Sequence, residues 1–572
     1  MIADARTAGL PDRLKADLVI VGAGAAGITL ALALADTGMQ ILLVEAGGSQ
    51  YSAASQAYYA GEAVDPTAHS PVDMYRRRVL GGSTTLWGGR CIPFDPVDFE
   101  RRPWMIHARW PFGHEEVAAH IPRAMDILEA GAPEFNAGDT LCGQAPLVEG
   151  VIDENVILDR IERFSRPTDF GVRYRKRLER ASNIRLFTSA PITQIRLGED
   201  GTAAGVVFDV AGNSVVVDAP RVAIAAGGIE TPRLLLAGCD ARPQGLGNEH
   251  DLVGRFYQCH LEGEVGRLRF LVPRERVRLD YEQSRDGIYC RRYIWLSPDA
   301  QRRHQLAGLV LRPAHPGIVD PGHRDPVLSA MYLAKAFIVP EYARKMTALE
   351  HQARLSSGGS ALAWHAAHVR NILLGAPKLA AFATDWTRRR ILASRKLPSV
   401  VLPSPEGIYP ADVNGEQEPN RESRVRLGSE RDALGMPRVR VSWSATDDDY
   451  RRLFDGLRRI SHALAKSQTV RLDLDGVDET TLASMIVPIG GHHVGTARMA
   501  DNPRDGVCDA NGEVFSVPGL FIAGAATFPT SSFANPTLTL VALTLRLAEH
   551  LKRTPPRPQT ASTNITAGDV YA

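Results

Sequence analysis

Residues 17–48, DLVIVGAGAAGITLALALADTGMQILLVEAGG, hold the reading that decides the fold. Leu18 to Val21 is an uninterrupted apolar run, the pattern of a strand buried on both faces. Gly22, Gly24 and Gly27 then form GxGxxG, and small and aliphatic residues from Ala25 to about Thr37 read as a helix that Gly38 ends. Ile41 to Val44 is a second buried strand, closing on Glu45, so the whole is one strand–helix–strand unit. In such a unit the first glycine permits the tight turn, the second lets a pyrophosphate approach the backbone, and the third lets helix and strand pack closely. The helix start at Ala25 and Ala26 offers unpaired N–H groups to phosphates. Glu45 lies 18 residues beyond Gly27, where a carboxylate accepts hydrogen bonds from ribose hydroxyls. The unit predicts a dinucleotide site and leaves FAD and NAD both open.

Outward from it, two later segments read as strands of the same sheet. Arg221 to Ala225 runs into Gly227 and Gly228, and Leu520 to Ala523 runs into Gly524. Helices are expected after them over Thr231 to Ala237 and Thr537 to Leu551. Ala204 to Val217 reads as a hairpin, Val425 to Leu427 and Val439 to Trp443 as strands of another sheet, and Ala361 to Leu397 as a long helical stretch, basic at its end. Nucleotide-site segments thus stand at the start, middle and end of the chain, with other material between. Two domains interleaved in sequence are predicted.

The bulk numbers agree. At roughly 150 residues per domain, 572 residues make several structural units. A composition 44% apolar and 23% charged is globular. A formal net charge of +1 argues against nucleic acid. Six cysteines without a CxxC pair suggest buried free thiols rather than zinc or disulfides. The start lacks a basic, then apolar leader, which predicts a cytoplasmic protein. Leu18 to Ala35 is uncharged over 18 residues, but its glycines and its strand–helix pattern speak against a transmembrane span. Residues 556–572 are expected to fray.

Three further motifs carry chemistry. RVLGGSTTLWGG, Arg78 to Gly89, has four glycines, including Gly81 and Gly82, so its backbone must come close to something large. GGHHVGTARM, Gly490 to Met499, sets adjacent histidines in a glycine-flanked loop. Neighbouring side chains rarely point the same way, and no acidic or Cys partner sits at ligand spacing, so no metal site is predicted. Histidine, with an unperturbed pKa of about 6.5, is suited to take a hydroxyl proton near neutral pH. SSFANPTLT, Ser531 to Thr539, reads as a helix start, with Asn535 capping and Pro536 at the first helical position; the Asn side chain can still serve a substrate.

Taken together these segments resemble the glucose–methanol–choline (GMC) flavoenzymes, over nearly the whole chain apart from its ends. GGIETPRLLLAG, with Thr231 and Pro232, is similar to the family's mid-chain signature, and LVGRFYQCHL, Leu252 to Leu261, to its bacterial members. The resemblance implies an α/β fold, a Rossmann-type FAD-binding domain (15–100, 180–260, 495–555) interleaved with an α+β substrate-binding domain (101–179, 261–494) built on an antiparallel sheet. It implies FAD contacts at Gly22, Gly24, Ala25, Ala26, Gly27, Glu45, Arg78, Gly81, Gly82, Thr84, Leu86, Gly524, Ala525, Pro536 and Thr537. The histidine two residues before Val-Gly-Thr is the family's base, here His492, and Asn535 fills the second catalytic position. His493 is the runner-up base, though a structural partner to backbone or flavin is the readier role, and His260 is expected to be structural or at the edge of the site.

The His/Asn pairing resembles pyranose oxidases and related sugar or glycoside dehydrogenases. Those oxidases often bond FAD covalently through a histidine in the flavin loop. The matching residue is Leu86, which implies noncovalent FAD. The expected activity is oxidation of an alcohol, on a sugar, glycoside or polyol, by a dehydrogenase more readily than an oxidase. The acceptor is left open among oxygen, a quinone and a protein. Rival readings are an NAD-dependent dehydrogenase, a flavin-fold lyase and a flavin-bound partner protein.

Overall fold

The computed structural model describes residues 1–141, 146–238, 240–334, 360–486 and 491–555. The expected tail, Cys142, Cys239 and Gly490 lie outside them.

The two predicted strands form as read, Leu18–Val21 and Ile41–Val44, each buried along its whole length. They are central in a six-stranded sheet ordered Ile2–Asp4, Ile184–Thr188, Ile41–Val44, Leu18–Val21, Val222–Ile224, Leu520–Ile522. Every pairing in it is parallel. Continuous apolar runs, rather than alternating ones, suit strands covered on both faces. Helix Ala25–Ala33 crosses between the first two and packs against helix Thr537–Arg553. Ala26 and Ala31 on the first helix share one buried core with Leu538, Val541 and Leu545 on the second. Each such leucine contributes roughly 1.5–3 kcal/mol by leaving water.

The helix after the glycine turn is shorter than expected. It ends at Ala33, and Asp36, not Gly38, takes the left-handed conformation with φ of 63°. Asp tolerates that region through local hydrogen bonding.

The second large sheet is antiparallel throughout and also six-stranded. It runs Val470–Asp473, Leu261–Phe270, Ile408–Gly415, Leu309–Pro313, Ile294–Leu296, Val156–Ile157. Helix Asp447–Ala465 covers it, burying Leu453, Leu457, Ile460 and Leu464. The expected α/β class therefore stands, with a parallel Rossmann-type sheet interleaved in sequence with an antiparallel one.

The predicted hairpin is Ala203–Val210 with Asn213–Asp218, turning through Ala211 and Gly212, both left-handed. Arg424–Arg431 pairs with Pro437–Ser442 as read. The stretch expected as one helix over Ala361 to Leu397 is broken: Ala361–Leu374 ends at Gly375, then Ala376–Trp386 leads into a π-helical turn, Thr387–Leu392. Cys91, Cys259, Cys290 and Cys508 are buried free thiols. Among the described residues no helix is long and apolar enough to cross a membrane.

Candidate active site

The glycine-rich segments meet at the carboxyl ends of the parallel strands, where open α/β sheets bind ligands. Gly22 has φ of +101°, and a Cβ there would lie 2.6 Å from the Ala225 carbonyl oxygen. A Cβ on Gly27 would lie 1.8 Å from the Gly22 oxygen, the close packing expected of the third glycine. Gly24 is different: a Cβ there would meet only the Gly82 Cα, at 3.9 Å. Two bare backbones, one from each loop, thus face each other, tied by Gly81 N–H to the Ala23 carbonyl at 2.9 Å. Helix Ala25–Ala33 has no side-chain cap at its start, so its N–H groups stay available for an anion.

A cavity of about 670 Å³ opens above this cradle. Gly22, Gly24, Ala25, Ala26, Glu45, Arg78, Gly82, Thr84, Leu86, Gly524, Ala525, Pro536 and Thr537 line it, with His492 and Asn535. Gly27 and Gly81 stand behind the wall. Glu45 is buried, and each carboxylate oxygen accepts one backbone N–H, from Ala23 and from Gly47, both at 2.8 Å. Burial nonetheless raises its carboxyl above the ordinary range. An ionised carboxylate has about four acceptor positions, so room for ribose hydroxyls remains. Thr84 spends its hydroxyl on the loop, donating to the Gly81 carbonyl and accepting from Phe170 N–H. The uncapped helix start, the bare Gly24–Gly82 cradle and the glycine-lined cavity fit FAD.

The chain clamps His492 from both sides. Val494 exchanges backbone bonds with Gln258, while Gly495 and Ala497 donate to the carbonyls of Ala525 and Ala526. Thr496 does a second task. Pro232 sits inside helix Gly227–Ala237 and cannot donate to the Gly228 carbonyl; the Thr496 hydroxyl does so instead, at 2.6 Å. The mid-chain signature and the histidine loop are thereby joined.

Asn535 does not cap the helix that follows. That helix begins at Thr537 with no side-chain cap, and the Asn535 amide Nδ2 lies 3.0 Å from His492 Nε2. Its buried Oδ1 has no partner among the described residues. The opposite edge of His492 faces two further groups: His260 Nδ1 at 3.1 Å and Glu262 Oε1 at 3.5 Å. His260 is fully buried, its Nε2 is 3.3 Å from the Ser531 carbonyl oxygen, and burial followed by the adjacent His492 pushes its pKa down to about 3. Burial would raise Glu262, but the hydrogen bond and charge of His492, with His260 and Arg312, hold it below the ordinary range.

His493 points the other way, as neighbouring side chains do. Its Nδ1 is 2.6 Å from the Tyr257 hydroxyl, which also meets His69 Nε2 at 2.8 Å and Cys259 Sγ at 3.1 Å. The expected structural role thus has a side-chain partner rather than backbone. Burial drives His493 well below its ordinary range.

Sequence reasoning missed Glu262, His69 and Tyr257, and undervalued His260. The argument that no acid or Cys stands near the histidines holds along the chain but not in space: Glu262 lies beside His492 and Cys259 beside His493. A signal was present, since His260 and Glu262 are two apart at the head of strand Leu261–Phe270 and so share one face.

Family comparison agrees with this geometry. Residues 17–253 match the family described as FAD dependent oxidoreductase, and residues 419–544 match GMC oxidoreductase. A 2-methyl-1,2-propanediol dehydrogenase of Mycolicibacterium austroafricanum is 23% identical over 94% of this chain and 95% of its own. A C-glycoside 3-oxidase of Microbacterium trichothecenolyticum is 35% identical over 22% of this chain and 23% of its own. The pyridoxine 4-oxidase structure from Mesorbium loti shares the fold, with a TM-score of 0.51 and 18% identity over 94% of this chain and 99% of its own. With the parallel sheet and its glycine cradle, these two matched segments give the chain an FAD-dependent oxidoreductase domain and a GMC oxidoreductase C-terminal domain, the equipment for oxidising an alcohol with FAD.

Proposed function

We propose that this enzyme oxidises a secondary or primary hydroxyl of a sugar, glycoside or similar polyol to a carbonyl, with His492 as base and Asn535 as donor to the reacting oxygen. The observation that carries it is the 3.0 Å approach of His492 Nε2 to Asn535 Nδ2 at the cavity wall. A hydroxyl placed between them gives its proton to Nε2 and accepts a hydrogen bond from the amide, which fixes the reacting carbon. FAD, when bound, supplies the hydride acceptor. Positioning of this kind removes entropy from the barrier, and general base action is worth about 10²- to 10⁴-fold.

The same cavity is lined by Trp87, Phe164 and Tyr281, with Arg90 and Ser399. Flat aromatic faces beside a few polar groups suit a ring that is apolar on its faces and hydroxylated at its edge. The C-glycoside 3-oxidase relative supports a glycoside. A small diol is the second reading, favoured by the propanediol dehydrogenase relative, which matches over nearly the whole chain.

In this reading FAD is noncovalent, since Leu86 offers no nucleophile. The cofactor part comprises 15–100, 180–260 and 495–555, and the substrate part 101–179 and 261–494. The enzyme acts as a dehydrogenase in the cytoplasm, where buried free thiols persist. Its electron acceptor is then a quinone or a protein; turnover with oxygen would make it an oxidase instead. Anaerobic bleaching of the flavin across a panel of sugars, glycosides and small diols tests the substrate. Reoxidation by a dye against oxygen tests the acceptor. Bleaching by none of the polyols, or only by the diols, overturns the sugar assignment.

A further inference from the structure

We propose that half-buried Glu262 and buried His260 form a positioning relay that keeps the His492 proton on Nδ1 and its Nε2 bare toward the cavity. The inference rests on the reading of His492 as the base and concerns what makes it one.

The hydrogen positions follow from the outside inward. A carbonyl oxygen only accepts, so the 3.3 Å contact to Ser531 puts a proton on His260 Nε2. His260 is fully buried and neutral, pushed down to about 3, which leaves Nδ1 a lone pair. That lone pair faces His492 Nδ1 at 3.1 Å, and two lone pairs do not share a hydrogen bond. His492 therefore carries its proton on Nδ1. Glu262 Oε1, 3.5 Å from the same atom and 3.8 Å from His260 Nδ1, favours that placement with its negative charge. Neutral His492 then has a bare Nε2, and the Asn535 group 3.0 Å away must be its donor, Nδ2. Turning the amide over would demand a proton on Nε2 and leave the Nδ1 atoms lone pair to lone pair. One chain of bonds thus fixes the tautomer of the base and the orientation of the amide.

The surrounding charges leave Glu262 to this task. Arg312, on the strand Leu309–Pro313, pairs at 2.9 Å with Glu162 and stands 3.9 Å from Asp412. Asp412, on the strand Ile408–Gly415, is itself raised by burial. His493, on the far side, is held neutral by burial. His492 is the titratable group in hydrogen-bonding reach of Glu262 that gains charge during the reaction. When a hydroxyl proton moves to His492 Nε2, the imidazole holds one proton on each nitrogen and a net positive charge. The Glu262 carboxylate balances it; FAD, when bound, would supply the acceptor for the hydrogen that leaves the reacting carbon with its electron pair.

The test is Glu262→Gln in the FAD-loaded enzyme, read by anaerobic flavin reduction across pH. The limiting rate is expected to fall about ten- to a hundredfold, on the scale of one to two pKa units of lost charge stabilisation. The acidic limb of the rate profile moves to lower pH, KM changes far less than kcat, and Glu262→Asp restores part of the rate. In parallel, ¹⁵N-histidine spectra of the native holoenzyme should show His492 protonated on Nδ1. A proton on Nε2 in the resting enzyme overturns the relay whatever the variants do. So does a Glu262→Gln enzyme with native rate and native pH profile. A stoichiometric metal in the native protein, bound through His260, Glu262 and His492, would also overturn it. If His492→Ala reduces flavin normally, the reading of the base fails instead, which keeps the two failures separate.

Discussion

His492 and Asn535 are 43 positions apart in the chain, yet their side chains meet at 3.0 Å. Both depend on the turn after strand Leu520–Ile522: the histidine loop hangs from the carbonyls of Ala525 and Ala526, and Asn535 lies between that turn and helix Thr537–Arg553. The first prediction follows. His492→Ala should retain FAD in full, because the cradle at Gly24 and Gly82 does not use the imidazole. Flavin reduction by substrate should slow about 10²- to 10⁴-fold. Anaerobic stopped-flow measures it, and a native rate would rule out His492 as base.

Asn535 is expected to act through its N–H. Asn535→Ala removes one preorganised donor at the reacting oxygen, a loss of about 10²- to 10³-fold in kcat. Asn535→His retains an N–H at the same wall and should lose less. Equal rates for the two variants would show that the amide donates nothing to the substrate.

The glycines separate folding from cofactor binding. Gly27→Ala drives a Cβ to within 1.8 Å of the Gly22 oxygen, so it should cost stability and lower the yield of folded protein. Gly24→Val meets no protein backbone closer than 3.9 Å at Cβ. It should fold with a native far-ultraviolet spectrum and purify with little flavin, since its branches enter the space facing Gly82. A flavin-replete Gly24→Val protein would contradict the assignment of this cradle.

The first unit was legible because its physics is local: two runs of four apolar residues, a glycine turn and an acidic terminus leave one arrangement open. The helix end was misread, since Gly38 is the better left-handed residue in isolation, yet Asp36 turns the chain so that Ile41–Val44 can pair with its neighbour. His492 and Asn535 were found through resemblance. Periodicity said nothing of either, because both lie in irregular segments. Glu262 and His260 were overlooked for a different reason. Their two-residue spacing marks a shared face, but which face looks at His492 depends on the register of Leu261–Phe270 against Ile408–Gly415 and the bridge from Gln258 to Val494. No local pattern encodes such long-range pairings.

The proposal that FAD is held noncovalently makes a simple prediction. Acid precipitation of the purified enzyme should leave the yellow cofactor in the supernatant and a colourless pellet. Leu86→His would place an imidazole on the cavity wall, but an imidazole alone does not make the bond. The variant should release its flavin as well; a fluorescent pellet from the native enzyme would refute the reading from Leu86.

Asp98 gives the last prediction, and it concerns pH. In the short helix Pro96–Phe99 its Oδ2 accepts from Asp95 N–H and from the Ser532 hydroxyl, both at 2.8 Å, while Oδ1 is buried without a partner among the described residues. Burial, with the nearby Glu416 carboxylate, pushes its pKa up to about 8 against the pull of Arg102. An unfolded aspartate titrates near 3.9, so between about pH 4 and 8 the folded state holds a proton that the unfolded state has released. Stability from this group is complete below the unfolded value and is lost as pH rises toward 8, by at most about 1.4 kcal/mol per pH unit. Asp98→Asn keeps an acceptor for the same two donors and cannot ionise. Variant and native protein should melt alike near pH 4, with the variant increasingly the more stable up to pH 8. A gap between their melting temperatures that stays constant across that range would mean Asp98 is ionised in the fold, with its charge met by Arg102.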